Sequence, residues 1–378
     1  MYISTLQSLP KTAQTAIEKK SNKLVFSDDQ RPFVSIVVPA YNEAQILTKN
    51  LKALCQYLQS LEGSYRWEII LINDGSKDDT GKFADAFAQT KTNVIVVHHA
   101  VNRGLGQALR TGFAHASGKY IVTLDLDLSY SPDHIERLLD KIHQSRAKVV
   151  VTSPYMKGGK VTNVPWSRLM LSVWANRFLS FTAKRDIATL TGMVRAYDAD
   201  FLKSLTFRST GMDINPELLY KSKVLKAPIE EIPAHLHWLT GDQIQTSTTP
   251  LRKSSMKILR HSWSVFFYGF AFRPGMFFLL PGLLLLLGSG LAQLQVFFHC
   301  VGAHGDLLKA GSGVGINQAI SEAFVHYPQD FFLAGILLIL AVQLLGLSIL
   351  ATQIKYYFDE SFYLGTQTYI AARSKSSL

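Results

Sequence analysis

Four carboxylates stand at or just beyond the ends of apolar stretches in the N-terminal half of the sequence: Glu43, Asp74, Asp125 and Asp127. Asp125 and Asp127 are separated by one residue, so on a regular strand both side chains would point to the same face. Two like charges so close together are unfavourable unless a cation pairs with them. Mg²⁺ and Mn²⁺ prefer carboxylate oxygens and complete their coordination with phosphates and water. A single such Asp is as often a helix cap or turn former, but the four together favour a shared site for a metal-bound diphosphate.

Two other kinds of site are disfavoured by the sequence. Cys55 and Cys300 are the only cysteines, so the chain has neither a disulfide framework nor a cysteine zinc site. The glycine-rich stretch NRGLGQALRTG (102–112) departs from the G-x-G-x-x-G pattern of dinucleotide-binding loops. Gly104 and Gly106 instead predict a tight turn and a close approach of backbone before a helix.

Elements that would position the carboxylates alternate regularly along the chain. Apolar runs predict strands at VSIVVPAY (34–41), WEIILIND (67–74), NVIVVHH (93–99), KYIVTLDLD (119–127) and KVVVTS (148–153). Stretches of helical periodicity lie between them, at residues 43–60, 80–89, 105–116 and 132–144. This alternation predicts an α/β fold with a mostly parallel sheet. Because ligands of such sheets bind beyond the carboxyl ends of the strands, the four carboxylates should meet at one edge.

Charged residues are only 18% of the chain because two long segments lack them. No Asp, Glu, Lys or Arg lies between Arg273 and Asp306, or between Asp330 and Lys355. About 20 apolar residues suffice to cross a bilayer, so we predict transmembrane helices at 274–300 and 331–354. Two buried helices of a large soluble core are the alternative.

Basic residues precede the first predicted span, and the whole chain carries a formal net charge of +11. By the positive-inside rule, residues 1–272 and the tail at 355–378 should be cytoplasmic, with an external loop at 301–330. We divide the remainder into an N-terminal extension (1–31), an α/β domain (32–245) and juxtamembrane amphipathic helices (246–273). Nucleic acid is the competing partner of a basic chain, but no base-reading helix or RNA-binding signature is present.

Five blocks of sequence, taken together, carry a resemblance to a known family. They are VSIVVPAYNEA (34–44), INDGSKDDT (72–80), NRGLGQALRTGFAHASGKYIVTLDLDLSYSPDHI (102–135), GGKVTNVPWSRLMLSVWANRFLS (158–180) and GMDINPELLYKSKVLKAPIEEIPA (211–234). In these blocks the chain resembles the family 2 glycosyltransferases of the GT-A fold, and among them the polyprenyl-phosphate glycosyltransferases such as dolichol-phosphate mannose synthase. The resemblance implies that residues 32–245 are a catalytic domain.

Roles for individual residues follow from the resemblance. Those matching positions that hold the nucleotide sugar are Pro39, Tyr41, Glu43, Ile72, Asp74, Asp125, Leu126, Asp127 and Arg252. Asp125 and Asp127 match the metal ligands, Mg²⁺ or Mn²⁺ being the expected cofactor. Ser129 stands where some relatives have a Gln ligand. Glu217 matches a carboxylate of many members, with the start of a helix as the alternative role.

Contacts to an acceptor phosphate are implied for Arg168 and Ser172, which with Asp127 are the expected catalytic residues. The chain departs from the family at Pro154, where relatives often have an arginine; Lys157, Lys160 or Arg177 would replace it. Basic residues in the amphipathic stretch around Arg168 and Arg177 could instead bind lipid headgroups.

The function implied is the inverting transfer of one hexose from a nucleotide-diphosphate sugar to polyprenyl phosphate (dolichyl or undecaprenyl) at the cytoplasmic membrane face. A processive polysaccharide synthase is one alternative, although its usual Q-x-x-R-W motif and additional spans are missing from this sequence. A membrane-anchored inactive nucleotide-sugar-binding scaffold is another. We expect the lipid bilayer to be a partner of this protein and nucleic acid not to be one. The sequence is compatible with both a monomer and a homo-oligomer.

Overall fold

The computed structural model describes residues 30–183, 187–238, 258–309 and 315–376. Its nine strands are β1 (Phe33–Ala40), β2 (Arg66–Asn73), β3 (Val94–His98), β4 (Tyr120–Thr123), β5 (Val149–Ser153), β6 (Lys160–Thr162), β7 (Arg195–Asp198), β8 (Ile229–Pro233) and β9 (His235–His237). The helices of the first part of the chain are α1 (Ala44–Ser60), α2 (Thr80–Ala88), α3 (Leu105–His115), α4 (Asp133–Ser145), α5 (Trp166–Thr182), α6 (Ala199–Ser204) and α7 (Ile214–Val224). Four more follow: α8 (Ile258–Phe272), α9 (Pro274–Lys309), α10 (Ile316–His326) and α11 (Pro328–Ser376).

Seven of the strands form one sheet in the order β3-β2-β1-β4-β7-β5-β8. Neighbours pair in parallel except at β7, which is antiparallel to both β4 and β5. The central strands are buried on both faces, as their apolar runs require. The prediction of a mostly parallel α/β sheet is therefore confirmed. A separate pair, β6 and β9, is also parallel.

Helices cover the sheet through the faces that their periodicity predicts. On α1 the buried residues include Leu47, Leu51, Leu54 and Leu58, which recur every three or four positions. On α3, Gly112 lies so close to Val37 of β1 that a Cβ at this position would overlap the valine side chain. Glycine thus lets the helix approach the sheet closely.

Glu217 on α7 holds the segment before the helix. Its carboxylate accepts hydrogen bonds from the backbone N–H groups of Arg208 at 3.0 Å and Ser209 at 2.9 Å, and from Lys221 Nζ at 2.5 Å. Burial alone would raise the pKa of Glu217, but the hydrogen bonds from Lys221, Ser209 and Arg208 outweigh burial and lower this pKa from its usual value.

Residues Phe266–Gly365 form a second compact unit, built from long apolar helices. In their most apolar windows, only 11% of α9 and 17% of α11 is buried within the chain, unlike the core helix of a soluble domain. Both are long and apolar enough to cross a membrane, as predicted. They extend beyond the predicted spans, so that α9, α10 and the start of α11 together occupy most of the predicted loop at 301–330.

Small residues at seven-residue intervals let α9 and α11 pack closely. Those on α9 are Gly275, Gly282 and Ser289, and those on α11 are Ala334, Ala341 and Ser348. Ser289 Oγ donates to Ala334 O at 3.1 Å, and Ser348 Oγ donates to Gly275 O at 2.8 Å. These hydrogen bonds join opposite ends of the two helices, so the pair is antiparallel. Small residues and hydroxyl-to-carbonyl bonds are the usual means of helix association in lipid.

Most of the predicted N-terminal extension, and residues 246–257 of the predicted juxtamembrane segment, lie outside the described residues. The described part of that juxtamembrane segment is α8 with Arg273.

We expect Gly282→Leu to destabilise the α9–α11 pair. A Cβ at Gly282 would lie 3.1 Å from Leu345 Cδ2, and overpacking of this kind typically costs about 1–3 kcal/mol. Gly290→Leu is the matched control, because outside the helix's own adjacent turns no atom lies within 4 Å of a Cβ there. The measurement is thermal aggregation of the detergent-solubilised protein; equal midpoints for the two variants would contradict the packing.

We expect Glu217→Gln to lower stability at neutral pH and to have less effect in acid. Because the folded-state pKa is lowered, the stabilisation is complete above the unfolded-state pKa of about 4.3 and is lost as the pH falls through the folded-state value. The melting temperatures of wild type and variant, measured from pH 7 down to pH 3, should converge. A difference that stays constant over this range would contradict the assignment.

Candidate functional site

Asp74 directly follows β2, and its carboxylate is buried, with 4% of the residue exposed. Oδ1 lies 2.6 Å from His99 Nδ1 and accepts from Arg103 N at 3.0 Å. Oδ2 accepts from Asn102 Nδ2 and from Gly104 N, each at 2.9 Å. A carboxylate offers about four lone-pair positions, so protein donors occupy those of Asp74. Asp74 thereby fixes the loop that leads into α3.

The start of α3 is held against the segment just before α7. Gly104 has a φ of 90°, which favours glycine. Thr210 O accepts from Gly106 N at 2.8 Å, and a Cβ on Gly106 would lie 2.6 Å from Ser209 O. The predicted tight turn and close backbone approach are confirmed. The backbone that lies against the glycines is that of Ser209 and Thr210 in the same chain.

Asp125 and Asp127 lie in a turn beyond β4, which ends at Thr123. The expectation that strand alternation aligns the two carboxylates is therefore wrong; the turn places them, with Leu128 at a φ of 52°. Both aspartates are partly exposed at this edge of the sheet. Asp127 Oδ1 accepts from Ser129 N at 2.9 Å, which orients that carboxylate.

Two partly exposed carboxylates in one turn are a donor set that suits Mg²⁺ or Mn²⁺. Among the residues that the structure describes, no three His, Cys, Asp or Glu side chains are grouped to hold a metal ion. A cation held by Asp125 and Asp127 would complete its coordination with phosphate oxygens and water, as hard cations commonly do. Ser129, the predicted additional ligand, is buried, and its carbonyl oxygen accepts from His237 N at 2.9 Å.

The loop after β1 carries two other predicted donor-site residues, Tyr41 and Glu43. Hydrogen bonds tie it to the loop after β2: Asn42 N donates to Ser76 Oγ at 3.0 Å, and Glu43 N donates to Thr80 Oγ1 at 2.8 Å. Tyr41 and Glu43 are both partly exposed. Both loops follow parallel neighbouring strands, so they lie at the same edge as Asp74.

Four other residues are predicted to belong to the donor site: Pro39, Ile72, Leu126 and Arg252. Pro39 is partly exposed on β1, opposite Ile72 of β2 in the strand register. The side chains of Ile72 and Leu126 are buried in the interior, which limits any contact with a ligand to their main chain. Arg252 lies outside the described residues.

Helix α5 carries the residues predicted for the acceptor phosphate. Tyr155 O–H donates to Ser172 Oγ at 2.7 Å. Burial raises the pKa of the Tyr155 phenol, and the hydrogen bond to Ser172 offsets only part of that rise. The Arg168 guanidinium lies 5.0 Å from the ring centre of Trp238, a cation–π contact. Trp238 follows His237, so Arg168 is linked through β9 to the turn that carries Asp127.

Three basic residues are predicted to replace the arginine that relatives often have at position 154: Lys157, Lys160 and Arg177. Pro154 itself is buried, and Lys157 and Lys160 are exposed. Arg177 is exposed on α5, nine residues after Arg168. At about 100° per residue, nine residues place the two arginines on opposite sides of the helix.

Arg195, which the sequence analysis missed, lies beneath this edge of the sheet with 0% exposure. It opposes Thr123 in the register of β4 and β7. Nη1 donates to Asn215 O at 3.0 Å and Nη2 to Leu190 O at 2.7 Å. Burial lowers the pKa of the guanidinium from its ordinary value. The sequence does contain a signal for this residue, a single arginine within the apolar run TGMVRAY. An arginine in an apolar run is expected to be buried, and a buried cation requires hydrogen-bond partners that the fold holds in place.

Comparison with known proteins gives a family match to part of the chain. Residues 35–206 match the family described as Glycosyl transferase family 2. These residues include Asp74, Asp125, Asp127 and all of α5.

Several curated proteins are similar over about half of the chain. The dolichyl-phosphate beta-glucosyltransferase of Trichomonas vaginalis is 26% identical over 58% of this chain and 70% of its own length. The dolichol-phosphate mannosyltransferase of Pyrococcus furiosus is 30% identical over 53% of this chain and 55% of its own length. The undecaprenyl-phosphate mannosyltransferase of Micrococcus luteus is 28% identical over 53% of this chain and 82% of its own length.

Among solved structures, glucosyl-3-phosphoglycerate synthase from Mycobacterium tuberculosis in complex with UDP aligns with a TM-score of 0.46 and 20% identity, covering 63% of this chain and 80% of that chain. The family match and the mostly parallel sheet agree with the resemblance seen in the sequence. Residues 35–206 therefore form a family 2 glycosyltransferase domain with a mostly parallel sheet, and the curated relatives of this part of the chain are glycosyltransferases.

Proposed function

We propose that this glycosyltransferase moves one hexose from a nucleotide-diphosphate sugar to the phosphate of a polyprenol, dolichyl or undecaprenyl, with inversion at the anomeric carbon. The observation that carries the proposal is that several similar curated proteins are named for sugar transfer to a polyprenyl phosphate. The two long apolar helices support a lipid acceptor, because such an acceptor resides in the membrane.

The donor would bind at the edge of the sheet formed by the loops after β1, β2 and β4. Asp125 and Asp127 would hold Mg²⁺ or Mn²⁺, which supplies charge stabilisation for the departing nucleoside diphosphate. The hydrogen bond from the Ser129 N–H group to Asp127 Oδ1 holds the Asp127 carboxylate in one orientation. Asp74 contributes through the loop that it fixes, since protein donors fill its acceptor positions.

The acceptor needs little activation by the protein. A phosphate monoester has a second pKa near 6, so its oxygen is already anionic at pH 7 and no strong general base is required. Basic side chains of α5 would instead position that oxygen beside the sugar. Holding two reactants in place can supply about 7–11 kcal/mol of the barrier.

We place the catalytic domain on the cytoplasmic side. Arg252, Lys253, Lys257, Arg260 and Arg273 precede α9, and no acid occurs between residues 243 and 305. Positive residues flanking a span favour the cytoplasmic side, where each gains about 1 kcal/mol from anionic lipid.

A donor screen tests the proposed reaction. The full chain, in detergent, is incubated with Mn²⁺, a polyprenyl phosphate and radiolabelled UDP-glucose, UDP-N-acetylhexosamine or GDP-mannose in turn. We expect one of these donors to give a lipid that carries one sugar. A polymer would identify a processive synthase, and binding without transfer from any nucleotide sugar would identify an inactive scaffold.

We expect Asp127→Asn to reduce transfer at least 100-fold while the fold remains intact, because half of the paired carboxylate charge is lost. Mn²⁺ together with the nucleoside diphosphate of the donor found in the screen should raise the melting temperature of wild type but not of the variant. Asp200→Asn is the control, since Asp200 is an exposed carboxylate on α6. Wild-type turnover in Asp127→Asn would exclude the metal assignment.

A further inference from the structure

The two strands outside the main sheet, β6 and β9, form a parallel ribbon next to the turn of residues 125–129, which we call the aspartate turn. Main-chain hydrogen bonds leave the end of β9 in two directions. His237 N donates to Ser129 O of the aspartate turn at 2.9 Å. Trp238 N, one residue later, donates to Thr162 O of β6 at 3.0 Å. The end of β9 thus lies between the aspartate turn and β6, and it supports the carbonyl group of Ser129.

The main chain of Ser129 also determines where the Asp127 carboxylate points. Its N–H donates to Asp127 Oδ1 at 2.9 Å, while its C=O accepts from His237 N. Ser129 is buried, whereas Asp127 is partly exposed. A displacement of β9 would therefore move the peptide groups of Ser129 and turn the Asp127 carboxylate. The orientation of Asp127 depends on how firmly β9 is held.

A cluster of three side chains on one face of the ribbon holds β9 against β6. Thr162 and His237 are opposite each other in the strand register. Because successive residues of a strand point to opposite faces, His235 shares the face of His237, while Leu236 packs against the hydrophobic core from the other face. Thr162 Oγ1 lies 2.9 Å from His237 Nδ1 and 2.9 Å from His235 Nε2.

A hydroxyl group suits this position between two imidazole rings. It has one proton to donate and two lone pairs that accept. The Thr162 hydroxyl can therefore donate to one ring nitrogen and accept an N–H from the other, so that both rings are bound at once. Together with the bond from Trp238 N, Thr162 binds β9 and the residue after it through three hydrogen bonds.

Helix α1 gives the aspartate turn a second support. Asn50 Nδ2 donates to Leu126 O at 2.9 Å, and the side chain of Leu126 is buried. Loss of the Thr162 hydroxyl should therefore loosen the side of the turn that contacts the ribbon without unfolding the turn. The expected consequence is a weaker cation site in an intact fold.

We propose that Thr162 is a positioning residue for the cation site at Asp125 and Asp127. Its hydroxyl is engaged by the two imidazoles, so it acts through β9 and not as a ligand. By holding His237 it fixes β9, and β9 sets the orientation of the Asp127 carboxylate through Ser129. This role rests on the proposed function in one respect, the assignment of a divalent cation to the two aspartates, and it does not depend on the acceptor.

Binding of Mn²⁺ to the full chain in detergent tests the proposal without any turnover. Free Mn²⁺ is measured by electron paramagnetic resonance, with UDP and with GDP in turn. We expect Thr162→Val to raise the Mn²⁺ dissociation constant about 3- to 10-fold, because a group outside the ligands acts only through the ligand that it orients. The melting temperature should fall by no more than about 4 °C. Thr162→Ser, which keeps the hydroxyl, should restore most of the Mn²⁺ affinity.

Thr90→Val is the matched control for the loss of a threonine hydroxyl. Thr90 is exposed, and its hydroxyl donates to Phe87 O at 2.7 Å. It precedes β3, which is parallel to β2, so it lies at the amino ends of the strands and away from the aspartate turn. The Mn²⁺ dissociation constant of this variant should equal that of wild type.

A double-mutant cycle identifies the contact that carries the effect. His237→Ala removes the imidazole but keeps the N–H that binds Ser129 O. Because Thr162→Val and His237→Ala remove the same side-chain hydrogen bond, the double variant should bind Mn²⁺ no more weakly than the weaker single variant.

Two results would overturn the positioning role while leaving the proposed function standing. One is an unchanged Mn²⁺ dissociation constant in Thr162→Val, which would reduce the hydroxyl to a contribution to stability. The other is full additivity of the two changes in the cycle. Absence of Mn²⁺ binding by wild type with either nucleotide would overturn the positioning role together with the metal assignment. A donor screen without transfer, beside the expected Mn²⁺ results, would contradict the proposed reaction alone.

Discussion

The buried carboxylate of Asp74 determines where much of the site lies. Taking a carboxylate out of water is unfavourable unless donors replace its hydration, and here one histidine, one amide and two backbone N–H groups do so. Those donors belong to the loop that enters α3, so satisfying the charge also fixes that helix start. The helix start in turn holds Thr210, and Glu217 holds the adjoining Ser209. One edge of the sheet is thus connected to α7 through a series of satisfied polar groups.

Local pattern was sufficient to predict most of the α/β domain. Helices α1 to α4 begin and end within about two residues of the ranges expected from apolar periodicity, because each buries one stripe against the sheet. The fourth strand was predicted too long. Its apolar run continues to Leu126, but its partner β7 pairs only with Tyr120 to Thr123. Pairing with a strand more than 70 residues later decides where β4 ends, and no local pattern contains that information.

The same limitation applies to the site residues. Carboxylates at strand ends could be predicted to meet at one edge, since parallel strands bring their carboxyl ends together. The hydrogen-bond partners of Asp74 could not be predicted, because they lie 25 to 30 residues further along the chain. Arg195 likewise binds carbonyl groups of Leu190 and Asn215, which only the folded chain brings to it. Residue types indicated the chemistry, whereas the hydrogen-bond partners depended on tertiary structure.

Helix α5 places its two arginines on opposite sides, because nine residues separate them along the helix. Through Arg168 and Trp238 one side is tied to β9, whose His237 N–H binds the carbonyl of Ser129 beside Asp127. The other side exposes tryptophans and borders a cavity that is lined in part by Arg177. Because a helix is rigid over 17 residues, fixing one side of α5 relative to the turn that carries Asp125 and Asp127 also fixes the other side.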